Sequence, residues 1–191
     1  MIEPEPPRYS VVARLLHWTI AAMVFVMLPV GIAMTSEGFQ EYGDELFILH
    51  KGLGSVLLAL VAVRIVSRLV LRAPPAPSHW PPIQRRLAGL SHFGLYLLLV
   101  AMTVSGYVRT VGGGFPIELL DTLGIPPLIP EMPETADRMA VIHKFSAYAL
   151  VGLVGVHVSA AMHSALVEKD GVMSRMWPPF GGGRSRGSGH G

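Results

Sequence analysis

The sequence predicts an all-α integral membrane protein, a four-helix bundle with its N-terminus and C-terminus in the cytoplasm. Of its 191 residues, 51% are hydrophobic and only 15% are charged, whereas a typical soluble domain carries about 25% charged residues. The mean hydropathy of +0.48 points the same way. Because so few charges cannot cover a globule in water, membrane lipid is the expected solvent.

Apolar stretches in the chain are long enough to cross about 30 Å of hydrocarbon, which takes roughly 20 helical residues. Three of them contain no charged residue: 15–36, 87–108 and 145–167. The other, 46–71, includes Lys51, Arg64 and Arg68, whose charges need an explanation. We therefore expect one transmembrane domain over residues 1–178, with helices at about 10–35, 46–71, 85–109 and 138–167.

The two ends of the chain need separate interpretation. The first apolar stretch is too long for a signal peptide and follows Glu3 and Glu5, so we expect a retained helix. Residues 179–191 are rich in Gly, Ser and Arg and are predicted to be a disordered tail. His190 in that tail is therefore not a ligand candidate.

The distribution of Lys and Arg predicts the orientation, since cytoplasmic segments carry an excess of both. Four lie on the segments assigned to the outside: Lys51, Arg109, Arg138 and Lys144. Ten lie on the segments assigned to the cytoplasm: Arg8, Arg14, Arg68, Arg72, Arg85, Arg86, Lys169, Arg175, Arg184 and Arg186. The two outer loops also hold nine of the thirteen acidic residues.

Histidine is the principal candidate metal ligand in this chain. The absence of cysteine excludes disulfides, thiolate zinc sites, iron–sulfur clusters and c-type haem attachment. His143 and His157 lie 14 residues apart on the fourth predicted helix, about 21 Å along the axis and within about 40° of the same face. Helix direction places His50 at the depth of His143 and His17 at the depth of His157. Two such imidazole pairs in a bundle are expected of two b-type haems.

Two glycines lie at the expected depth of the outer haem. Gly31 follows His17 by 14 residues, and Gly106 follows His92 by 14. A flat macrocycle needs such close approach of the backbone. The alternative is that these small residues only let the helices pack closely.

Three cations lie at the same depths as the predicted haems. Arg64 is 14 residues after His50, at the inner level, where it could pair with a haem propionate. Lys51 and Lys144 each follow an outer histidine and could bind a propionate or attract an anionic reactant. Snorkelling of all three to the headgroups is the alternative.

Other histidines leave alternatives open. His92 lies at the inner depth and could replace His17 or His157 as a ligand, bond a propionate or bind a quinone. His163 is expected to face the headgroups, and His79 is expected at the interface beside Trp80.

In these segments the chain resembles the bacterial cytochrome b561 family, within the wider group of membrane b-type cytochromes that includes hydrogenase b subunits. The matching stretches, between Arg8 and about Pro178, are RYSVVARLLHW, LHKGLGSVLL, VRIVSRL, SHFGLYLLLVAMTVSGYV and IHKFSAYALVGLVGVHVSAAMHS. The resemblance implies that His17, His50, His143 and His157 bind haem and that His92 does not. It also implies a bacterial inner-membrane electron carrier that exchanges electrons with the quinone pool, as in the member type regarded as a superoxide:quinone oxidoreductase.

The sequence therefore predicts transmembrane electron transfer through two haem b groups, with no catalytic nucleophile or acid–base residue. One alternative is a membrane anchor that passes electrons from quinol to a periplasmic partner. Another is a divalent-metal transporter that uses the intramembrane histidines, although no acidic residue lies within the spans. A purely structural bundle is a further alternative. No nucleic acid partner is expected, and a homodimer stays open.

Overall fold

The computed structural model describes residues 8–177, and helices make up most of that range, with no strand in it. The α-helices are α1 (Val11–Ala33), α2 (Gly43–Val70), α3 (Pro82–Gly112), α4 (Glu118–Thr122) and α5 (Pro133–His163). The four long ones are apolar enough to cross a membrane, which confirms the predicted all-α membrane fold. The predicted tail at 179–191, with His190, lies outside the described residues.

Successive long helices run in opposite directions. The α2–α3 connection and residues 164–177 lie at one end of the bundle, which we call the inner end after the predicted orientation. The connection that contains α4 lies at the opposite, outer end.

Several ends of the long helices lie beyond the apolar stretches, in polar sequence. α3 begins at Pro82 rather than 85 and ends at Gly112 rather than 109, and α5 begins at Pro133 rather than 138. Proline suits the first turn of a helix, where its missing N–H has no intrahelical partner to lose. α2 begins at Gly43, with Asp44 and Glu45 in its first turn, where negative charge stabilises the helix dipole. The ends of the charge-free stretches therefore do not mark the ends of the helices.

A small apolar core joins α1, α2 and α5, and α3 packs mainly along α5. The buried cluster consists of Ile20, Val24, Leu57, Val61 and Leu150. Many other large apolar side chains face outward, such as Leu69, 81% exposed, and Phe93, 68% exposed. An exposed apolar surface on every long helix is what a membrane protein presents to lipid.

Residues 113–132 form the outer connection, which the sequence predicts only as a long loop. Gly114 and Gly124 have φ angles of +80° and +69°, which glycine adopts without steric cost. They turn the chain on either side of α4. The Tyr107 hydroxyl of α3 accepts a hydrogen bond of 2.9 Å from the Leu128 N–H, which fastens the connection to the bundle.

At the inner end, α5 continues into a π-helical turn, Ser164–Glu168, followed by Lys169 in the left-handed region (φ 51°). The next residue, Asp170, accepts hydrogen bonds from the Ser164 hydroxyl, the Val172 N–H and the Trp80 indole. Partial burial acts to raise the pKa of Asp170, but these three hydrogen bonds outweigh it and hold the pKa below its usual value. The carboxylate thereby fastens α5 to the α2–α3 connection.

Candidate functional site

The bundle interior contains two pairs of facing histidines, at two depths. His50 of α2 lies opposite His143 of α5 near the outer end, with ring centroids 6.2 Å apart. His17 of α1 lies opposite His157 of α5 toward the inner end, with ring centroids 6.3 Å apart. The structure thus brings together the same pairs that helix direction and depth predict.

The spacing within each pair fits one iron between two imidazoles. A metal–imidazole bond is about 2.0 Å long, and the ligating nitrogen lies about 1.1 Å from the ring centroid. Two trans imidazoles on one iron therefore have centroids about 6.2 Å apart. Both observed distances agree with this value, and two neutral imidazoles are the donor set of a b-type haem.

His92 of α3 also lies at the inner level, with its ring centroid 5.6 Å from that of His157. This distance is shorter than trans coordination requires. The geometry therefore favours His17 over His92 as the partner of His157 and leaves His92 beside the pair.

His143 makes a defined hydrogen bond across the helix interface. Its Nδ1 lies 2.9 Å from the Met102 carbonyl of α3, and the Ser105 hydroxyl lies 3.3 Å from the same nitrogen. A carbonyl oxygen only accepts, so Nδ1 carries the hydrogen and Nε2 keeps its lone pair. This is the tautomer that an axial ligand needs, since the second nitrogen of a ligating histidine donates to a carbonyl, a carboxylate or water.

The two predicted glycines each lie against an outer histidine. A Cβ atom on Gly31 would lie 3.1 Å from Cε1 of His50, and one on Gly106 would lie 3.0 Å from Cε1 of His143. The sequence predicts that these glycines admit a macrocycle. In the structure the atoms nearest to them belong to imidazoles, so their immediate effect is to let His50 and His143 approach the neighbouring helices.

Arg64 of α2 is half-buried at the inner level. It donates a hydrogen bond of 2.9 Å to the Ala13 carbonyl, its second terminal nitrogen lies 3.4 Å from His17 Nδ1, and its guanidinium lies over the Tyr96 ring. Arg64 thus lies inside the bundle beside a predicted ligand, as its position 14 residues after His50 predicts. The contacts with Ala13 and Tyr96 could not be anticipated from spacing.

The two predicted outer lysines have different surroundings. Lys51 is tied to the outer connection, because its ammonium donates to Glu118 at 2.8 Å and to the Pro116 carbonyl at 2.9 Å. The hydrogen bond from Lys51 holds the pKa of Glu118 below its ordinary value. Lys144 is exposed. The ion pair was not anticipated, because 67 residues separate its partners along the chain.

Sequence reasoning also missed two buried polar residues. Arg14 is only 2% exposed, although the sequence assigned it to the cytoplasmic flank of the first helix. It precedes His17 by three residues and so shares its helix face, which was the available signal. Ser105 is likewise 2% exposed. The only feature of the sequence that could have pointed to it is its position one residue before Gly106.

The remaining histidines lie near the inner surface. His163 is exposed, with its Nδ1 3.8 Å from Glu168, and His79 is exposed on the α2–α3 connection beside Trp80. Within residues 8–177, no group of three or more His, Asp or Glu side chains is arranged to hold a metal ion.

Comparison with known proteins matches the prokaryotic cytochrome b561 family over residues 8–179. Cytochrome b561 homolog 2 of Escherichia coli (strain K12) is 30% identical over 176 residues, 90% of this chain and 92% of that protein. The probable superoxide oxidase CybB of Yersinia pestis is 24% identical over 171 residues, 90% of this chain and 96% of that one. The chain therefore belongs to the prokaryotic cytochrome b561 family, membrane proteins that transfer electrons and carry b-type haem.

Proposed function

We propose that this protein carries electrons across a bacterial inner membrane between two b-type haems. His50 and His143 would hold the outer haem, and His17 and His157 the inner one. The observation that carries the proposal is the pair of centroid distances, 6.2 Å and 6.3 Å, which match bis-histidine ligation at two depths. The 14-residue spacing on α5 separates the two sites by about 21 Å along the helix axis.

Bound haem would supply reversible one-electron chemistry at each pair. The protein contributes the ligands, their orientation and an apolar surrounding that excludes water. α5 supplies one ligand to each site, and α1 and α2 supply the other two. None of these residues needs to act as a nucleophile or as an acid–base catalyst.

Arg64 would change its partner when the inner site is loaded. A guanidinium only donates, so its 3.4 Å contact with His17 Nδ1 requires that nitrogen to accept. Ligation through Nε2 instead requires Nδ1 to carry the hydrogen. Arg64 would then be released from His17 and could pair with a carboxylate at the same level, and a haem propionate is the candidate.

The electron donor that we propose at the outer end is superoxide, and the final acceptor is the quinone pool. Two superoxide anions would be oxidised to dioxygen, and one quinone would take up two electrons and two protons. The name of the Yersinia pestis relative supports this assignment. Lys144 is exposed and would attract the anion, whereas Glu118 already neutralises Lys51. Their other predicted role, as propionate partners, stays a prediction.

A stopped-flow experiment tests this proposal. Purified holoprotein is mixed with superoxide, and haem reduction is followed with and without a soluble quinone analogue. We expect haem reduction that slows at high salt and in Lys144→Glu, because both weaken attraction of the anion. Lys51→Gln serves as the matched comparison and should change the rate less. Absence of haem reduction by superoxide would refute this choice of donor.

In a second candidate function, the protein passes electrons from quinol to a periplasmic protein. The charge of the outer segments favours it, because their nine acidic residues outnumber their four basic ones and would attract a basic redox partner rather than an anion. Reduction of the haems by a quinol, followed by their reoxidation by a basic one-electron acceptor protein and not by dioxygen, would support this direction.

A further inference from the structure

Three groups of helix α3 lie against the Nδ1 side of His143: the Met102 carbonyl, the Ser105 hydroxyl and the backbone of Gly106. The carbonyl lies 2.9 Å and the hydroxyl 3.3 Å from Nδ1. The hydroxyl also donates to the Met102 carbonyl, at 3.2 Å, so the two groups form one small network.

Gly106 makes this approach feasible. A Cβ atom at that position would lie 3.0 Å from Cε1 and 3.2 Å from Nδ1 of the ring. Any larger residue would push the imidazole away from the α3 backbone and lengthen the hydrogen bond to Met102. Glycine and serine at adjacent positions therefore act on the same ring.

Two of the other predicted ligands, His50 and His17, have different Nδ1 environments. His50 Nδ1 is buried and has no hydrogen-bond partner among the described residues. His17 Nδ1 faces the Arg64 guanidinium, which can donate but not accept. The outer pair thus contains a histidine whose Nδ1 hydrogen is held by an acceptor, and the inner pair lies beside a half-buried cation.

Both differences place the reduction potential of the outer haem below that of the inner haem. Donation of the Nδ1 hydrogen to an acceptor makes an imidazole a stronger electron donor to its metal, which stabilises ferric iron and lowers the reduction potential. A nearby buried cation favours uptake of an electron and raises the potential. Arg109, one turn beyond Ser105 on α3, acts on both outer histidines in the opposite sense, but it is exposed, and an exposed charge acts more weakly than the half-buried Arg64.

We propose that Ser105 is a positioning residue that, with the Met102 carbonyl, holds His143 as the stronger donor ligand and makes the outer haem the lower-potential one. This inference rests on the proposed two-haem function. Electrons that enter at the outer end would then pass downhill to the inner haem. The orientation of the protein and the contacts of its histidine ligands would together set the direction of transfer.

Potentiometric titration of the purified holoprotein, followed optically, tests this. His50→Ala, which should retain only the inner haem, assigns the two transitions. In the unaltered protein we expect the outer haem to be reduced at the lower potential. Ser105→Ala should raise the outer potential enough to change its ferrous-to-ferric ratio roughly threefold, about 30 mV for one electron, and leave the inner potential unchanged.

Thr103→Val is the matched control, because its buried hydroxyl bonds only to the Leu99 and Val100 carbonyls of its own helix. It should change neither potential. Ser105→Cys, which keeps a weak hydrogen-bonding group, should give a smaller shift than Ser105→Ala. Equal shifts in the serine variants and the control, an unchanged outer potential in Ser105→Ala, or an outer haem of higher potential would each overturn the inference. A protein that binds no haem would instead refute the proposed function.

Discussion

Replacing Gly106 by alanine would place a methyl carbon 3.0 Å from Cε1 and 3.2 Å from Nδ1 of His143. Ordinary contacts begin near 3.4 Å, so the ring must retreat by about 0.4 Å. A metal–ligand bond tolerates a change of only about 0.2 Å, and the hydrogen bond to Met102 also opposes the movement. We therefore expect weaker haem binding at the outer site and unchanged binding at the inner site.

The magnitude follows from the cost of overpacking a tight interior, which is typically about 1–3 kcal/mol. Since about 1.4 kcal/mol corresponds to a factor of ten, haem affinity at the outer site should fall about 5- to 150-fold. The assay is the haem-to-protein ratio after purification, together with the rate of haem transfer to an excess of apomyoglobin. Two kinetic phases should appear, and only the one assigned to the outer haem should accelerate.

Gly152→Ala on α5 is the matched control, because a Cβ atom there would meet nothing within 4 Å. Alanine in a helix interior is more favourable than glycine by about 1 kcal/mol, so this variant should fold and retain both haems. If Gly106→Ala retained its haem as the unaltered protein does, Gly106 would not set the position of the outer ligand.

Three further predictions concern His50, Arg64 and the Lys51–Glu118 ion pair. His50→Ala should lose the outer haem alone, so the haem content should fall by half; loss of the inner spectrum instead would show that the pairing is wrong. Arg64→Leu should lower the midpoint potential of the inner haem, because it removes a half-buried cation from that level; a shift confined to the outer haem would contradict this. The Lys51 hydrogen bond lowers the pKa of Glu118 from 4.5, so its contribution to stability is complete above that pH and is lost as the pH falls through the lowered value. The protection factors of the amide hydrogens in residues 113–132 should therefore fall at acidic pH, and Glu118→Gln should remove that dependence.

The four membrane helices and the histidine pairing were predictable because both depend on local periodicity. Charge-free stretches define the spans, and a 14-residue spacing on one helix fixes depth and face together, as it does for His143 and His157. The family resemblance selected His17 over His92, and the distances to His157 favour the same choice.

Contacts between distant segments and contacts with the backbone were not predictable. The Met102 carbonyl has no signature in the sequence, because every residue carries one. The Lys51–Glu118 ion pair depends on how the outer connection folds, which glycine turns and a short helix decide. For Gly31 and Gly106, spacing predicted a close approach to a macrocycle, which stays a prediction, and the side chains nearest to them are the imidazoles of His50 and His143.

A reduced-minus-oxidised optical spectrum of the purified protein, combined with haem quantification, tests the central claim most directly. Two b-type haems per chain are expected, since the bundle holds two histidine pairs at the separation that iron requires. A single haem per chain, or a colourless protein that binds divalent metal ions instead, would contradict the assignment of both pairs as haem ligands.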